Sequence, residues 1–81
     1  MQVTKFLELI SQGFDVSFNY LDVFYTISVI HENNGEKKFG IGSDNGFSAD
    51  FDSLQSIPDF VLANKKIKEI IIELPEEEIF Y

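Results

Sequence analysis

Cysteine, tryptophan and arginine are all missing from this 81-residue chain, and only two prolines are present. Without cysteine there is no disulfide, no thiolate nucleophile and no structural zinc of the usual thiolate kind. A chain of this composition fits a reducing cytoplasm. Without arginine there is no guanidinium fork to grip phosphate or carboxylate through two parallel bonds. The six bases are all lysine, and fourteen acids leave a net charge of −8. That charge repels the phosphate backbone that dominates nucleic-acid affinity, so direct nucleic-acid binding is not expected. No basic-then-apolar stretch opens the chain, and no apolar run approaches the roughly 20 residues of a membrane span. The expectation is a soluble, cytoplasmic protein with no membrane partner.

What is present is a long alternation of polar and apolar residues over 15–51. Val16, Phe18 and Tyr20 alternate first, then Val23, Tyr25, Ile27 and Val29, then Phe39 and Ile41, then Phe47, Ala49 and Phe51. Side chains of a strand point alternately to its two faces, so this pattern specifies a sheet with one apolar and one wet face. Asn34-Gly35 and Asn45-Gly46 interrupt it, and Asn-Gly supplies the positive φ angles of tight hairpin turns. An antiparallel meander follows, with strands at 15–20, 23–30, 37–42 and 47–51 and a tight turn at Leu21-Asp22. Phe24 and Ile30 break the alternation, because they fall on the face that carries Thr26 and Ser28. Gly40 and Gly42 leave the third strand nearly bare on that same face, which implies a bulge or a close backbone neighbour.

Helical spacing flanks the meander. Val3, Phe6, Leu7 and Ile10 recur at i, i+3, i+4, i+7, and Gly13 suits a left-handed cap after Ser11 or Gln12. Asp52 or Ser53 is a candidate cap for a short or kinked helix through Leu54, Ile57 and Val61, interrupted by Pro58. Asn64 is a candidate cap for a helix from Lys65 to about Glu73, with a Lys65–Glu69 pair at i, i+4. The β-branched run Ile70-Ile71-Ile72 makes a strand the alternative for 65–74. After Pro75 the chain ends in an acidic and then apolar tail, Glu76-Glu77-Glu78-Ile79-Phe80-Tyr81. That end could pack on the core, add to a sheet edge or dock on a partner. The expected fold is one α+β domain, 1–81: an N-terminal helix, a three- to four-stranded antiparallel meander, and one or two C-terminal helices on one sheet face. Phe6, Ile10, Phe18, Tyr25, Ile27, Phe39, Phe51 and Ile67 form its expected core.

Few residues carry chemistry. Gly40, Gly42 and Gly46 are spaced faintly like a phosphate loop, but they lead into a hairpin signal with no Lys-Ser or Lys-Thr behind it. Asp44 to Asp52 invites a calcium reading, yet the first ligand position holds Ile41. His31 is the only imidazole and has no cysteine beside it. Asp50 and Asp52 share a strand face, but a domain of this size leaves little room for a cleft besides its core. Neither metal nor cofactor is expected. The candidate partner-binding residues are Phe24 and Ile30 on the wet face, with Phe80 and Tyr81 at the end of the chain.

The runs Phe6-Leu7-Glu8-Leu9-Ile10, Val16-Ser17-Phe18-Asn19-Tyr20, Phe51-Asp52-Ser53-Leu54 and Ile67-Lys68-Glu69-Ile70 resemble short uncharacterised proteins of Gram-positive bacteria and their phages. The resemblance covers most of the chain. It implies an α+β fold and a cytoplasmic bacterial or phage origin, and it assigns no activity to any residue. The expected function is that of a small acidic, non-enzymatic protein-binding module, with a homodimer through the open sheet face as one form. The alternative is an acidic inhibitor or nucleic-acid mimic that occupies a basic groove. A third reading is a small enzyme or ligand binder using His31 and the Asp44–Asp52 region.

Overall fold

Helix α1 (Val3–Ser11) buries Phe6 and Ile10, the centre of the stripe that its spacing implies. Its end is closed by Gly13 at φ +96°. The Gly13 amide donates to the Ile10 carbonyl and the Phe14 amide to the Leu9 carbonyl, both at 3.0 Å. These two bonds satisfy carbonyls that the last helical turn leaves open. The structure is a computed structural model that describes residues 1–81.

The fold is α+β. Strands β1 (Val16–Tyr20), β2 (Val23–His31), β3 (Lys37–Ser43) and β4 (Ser48–Phe51) pair antiparallel in sequence order. A two-residue hairpin follows, β5 (Val61–Leu62) with β6 (Lys65–Lys66), and then helix α2 (Ile67–Glu73). The tail returns as β7 (Ile79–Phe80), antiparallel to β1, so the main sheet has the order β4-β3-β2-β1-β7. Addition to a sheet edge is therefore the fate of the tail, and it raises the strand count to five. No helix is long and apolar enough to cross a membrane.

Both helices lie on one face of the sheet. Phe6, Ile10, Val16, Phe18, Ile27, Ile57, Ile67 and Ile71 are fully enclosed there, and Tyr25, Phe39, Ile41, Phe51, Ile79, Met1, Leu62 and Ile70 complete the cluster. All eight residues expected in the core are in it. At ~3–5 kcal/mol for loss of a buried Phe ring, these side chains dominate the stability of so small a domain.

Several local expectations change. Of the short or kinked helix expected at 54–61, the short form is present as the 3-10 helix Leu54–Ser56, which does not continue through Pro58, and Ser53 precedes it with no side-chain bond. Pro58 still serves the fold, because its carbonyl accepts from the Lys68 amide at 3.0 Å. Asn64 does not cap α2. It lies in the β5–β6 turn beside Ala63 (φ +58°), and the helix starts only at Ile67. Lys65, still extended, is thereby out of i, i+4 geometry with Glu69 and bonds Glu73 at 2.6 Å instead. Glu73 holds the Lys65 ammonium above its usual range. Ile67, Ile70 and Ile71 are buried while Ile72 is exposed, so the i, i+3, i+4 stripe overrides β-branched propensity in this segment.

The turns are also redistributed. Asn34 and Asn45 do not take positive φ, whereas Gly35 (+84°) and Gly46 (+91°) do. Glu32 pairs with Glu36 and Ser43 with Phe47 around three-residue loops, each closed by a left-handed glycine. The two-residue turn with both central φ positive is Leu21-Asp22, at +51° and +63°.

Candidate functional site

The face of the sheet away from the helices has no covering layer. Pairing register sets its composition: Ser17 and Asn19 from β1, Phe24, Thr26, Ser28 and Ile30 from β2, Lys38, Gly40 and Gly42 from β3, and Ser48 and Asp50 from β4. Phe80 joins them opposite Ser17, because its neighbour Ile79 faces the core opposite Phe18.

Phe24 and Phe80 meet across β1 with ring centroids 6.1 Å apart and planes at 48°. That spacing lies within the favourable range for tilted aromatic pairs. Phe80 remains 51% exposed. The Phe24 backbone is pinned from the other side, where its amide donates to Asp44 Oδ1 at 3.2 Å and its carbonyl accepts from the Asp44 amide at 3.1 Å. Between the aromatic pair and Ile30 the floor is low. Ser17 and Thr26 hydroxyls bond each other at 2.8 Å, next to Gly42.

The two glycines of β3 differ. A Cβ on Gly40 would come within 3.3 Å of Ile30 Cδ1, so Ile30 folds over Gly40 and would have to shift by a few tenths of an ångström to admit a side chain. A Cβ on Gly42 would meet nothing within 4 Å. The β2–β3 register runs without interruption through both positions, so neither marks a bulge. Nothing within the chain calls for glycine at 42.

Charge is uneven around this face. Asn19, Glu77, Glu78 and Phe80 line a concavity of about 260 Å³ at the aromatic end. Glu76 pairs with Lys5 at 3.5 Å, while Glu77 and Glu78 have no cation within 4 Å. Of the six lysines only Lys37 is outside an ion pair. The candidate residues thus separate: Phe24 and Phe80 come together, Ile30 (46% exposed) stands at the far end of β2, and Tyr81 turns away. Lys5 Nζ lies 5.7 Å from the centre of the Tyr81 ring. Tyr81 first, and Glu76 second, hold that ammonium above its usual range.

The other candidates are dispersed. His31 is exposed at the end of β2 opposite Lys37, whereas Asp44 follows the other end of β3. Asp50 and Asp52 line a shallow hollow of about 280 Å³ with Glu36, Lys37 and Lys38. No three His, Cys, Asp or Glu side chains are grouped to hold a metal ion. A second apolar exposure has no counterpart in the strand pattern. Phe47, expected inward on the fourth strand, precedes β4 and stays 40% exposed, edge-on to Tyr25 at 6.4 Å. It forms a cleft of about 220 Å³ with Val61, Leu62 and Ala63 of the small hairpin. Each of these hollows is smaller than the roughly 300–1,000 Å³ of typical small-molecule pockets. No protein-family model, curated protein or solved structure matches this chain.

Proposed function

We propose that this chain is a small acidic, non-enzymatic, cytoplasmic protein-binding module whose docking surface is the open sheet face. The Phe24–Phe80 pair carries this reading: two aromatic rings stand on a face otherwise built of Ser, Thr, Asn, Gly, a few charges and Ile30. An exposed aromatic supplies much contact area at little conformational-entropy cost, and such residues anchor protein interfaces. The absence of cysteine supports a reducing compartment.

The experiment compares Phe24→Ser with wild type as bait in the source cell, alongside circular dichroism and sedimentation. The expected result is a folded variant that loses a partner, or a dimer, seen with wild type. A folded Phe24→Ser that keeps every partner removes the open face from consideration. The second reading, an acidic protein that fills a basic groove, draws on Glu77 and Glu78 being unpaired. It requires binding that weakens steeply with salt whether or not Phe24 is present.

A further inference from the structure

We propose that the open face seats a basic amphipathic helix of another protein, whose backbone crosses over Gly42 and whose Lys or Arg side chains reach Glu77 and Glu78. This rests on the docking role of the open face and adds what docks there. Three features converge on such an occupant. Gly42 has open space where a side chain would stand, in a strand interior where glycine weakens the ladder. Close approach of a foreign backbone gives that glycine a purpose.

The floor suits a helix laid across the strands. Ser48, Gly42, Thr26 and Ser17 form a row of small residues on four adjacent strands that ends at Phe80 on β7. Five strands at ~4.8 Å spacing span roughly 19 Å. A helix of about 13 residues covers that distance at 1.5 Å per residue, with Phe24 and Ile30 standing on its two sides.

Charge selects the partner. Glu77 and Glu78 lie beside Phe80 without a cation, while five of the six lysines are engaged elsewhere. A basic side chain there would meet two carboxylates and the ring face of Phe80 together. A second copy of this chain would instead bring −8 against −8.

The test is a titration of the ¹⁵N-labelled protein with a 14-residue amphipathic Leu/Lys peptide, and in parallel with its Leu/Glu counterpart. Saturable shifts confined to the amides of Ser17, Phe24, Thr26, Gly42 and Phe80 are expected with the Lys peptide, and none with the Glu peptide. Gly42→Val should raise the melting temperature by a few degrees, because a β-branched residue replaces glycine in a strand. It should nonetheless weaken the Lys peptide at least tenfold, a loss that misfolding does not explain. Glu77→Gln with Glu78→Gln should weaken it about tenfold at low salt.

Shifts scattered over the whole acidic surface, or a Gly42→Val variant that binds as wild type, overturn the proposal. Equal binding of both peptides at the face, still abolished by Phe24→Ser, overturns the charge selection and leaves the docking face standing. Peptide binding that Phe24→Ser does not affect overturns the docking face itself. A stable dimer of the free protein that buries Phe24 also overturns the proposal, since the face is then already covered.

Discussion

The two faces of the main sheet are built from the same strands and differ in almost every respect. On the helix side, Val16, Phe18, Tyr25, Ile27, Phe39, Ile41 and Phe51 are buried in one core cluster with residues of α1 and α2. On the other side, the intervening residues are small or polar except for Phe24, Ile30 and Phe80. The tail contributes one residue to each: Ile79 is 4% exposed and Phe80 is 51% exposed, although they are adjacent in the chain. Equal hydrophobicity thus has unequal consequences. A phenylalanine under the helices holds the fold together, whereas one on the open face is free to serve contact.

This comparison breaks most decisively at Phe18. Phe18→Ala should cost ~3–5 kcal/mol, because the ring is fully enclosed, and should unfold much of the population at moderate temperature. A melting temperature within a few degrees of wild type would mean that the helix side is not the core. Ile79→Ala should cost ~2–4 kcal/mol and also release β7, so stability and open-face binding fall together. Phe80→Ala, one residue on, should affect binding far more than chemical denaturation. Phe24→Ser comes next, at about 1 kcal/mol for the lost aromatic pair, read as a small shift in the urea midpoint.

A smaller effect of opposite sign is expected at the β1–β2 turn. Leu21 and Asp22 both occupy the left-handed region, at about 1–2 kcal/mol for an ordinary L-residue. Leu21→Asn with Asp22→Gly should therefore stabilise by about 1 kcal/mol, measured as a higher melting temperature. The smallest effect is ionic. Lys68 at 3.1 Å, and then Lys66 at 3.7 Å, hold the Asp59 carboxyl below its ordinary 3.8. A lowered value in the folded chain means a stabilisation complete above that ordinary value, which is lost as pH falls through the lowered one. Asp59→Asn should lower the melting temperature slightly at neutrality and converge with wild type at acid pH, which flattens the acid limb of a plot of melting temperature against pH.

Much of this architecture was legible in the chain because alternation and helical spacing are local signals. The N-terminal helix ends at Ser11 before Gly13, as its spacing and glycine imply, and the strands of the meander keep their faces. The turns were less transparent. Asn-Gly is the strongest signal for a two-residue hairpin, yet both copies close three-residue loops, while Leu21-Asp22 takes the tight turn. Register resolves this: strand pairing fixes how many residues each loop must span, and the turn residues then accept the conformation that remains.

The sequence by itself determined that there is one apolar sheet face, which meander residues line it apart from Phe47, and that Phe24 and Ile30 stand opposite, since side chains alternate with a period of two. Only the tertiary structure decided that the tail becomes a fifth strand, that Phe80 meets Phe24 while Tyr81 turns to Lys5, and that Gly42 has free space above it. Ser17 and Phe80 are 63 positions apart in the chain, and their contact depends on which edge of the sheet is left open once the core has closed. Local periodicity encodes the face of a strand, but the neighbour it acquires is set by long-range packing.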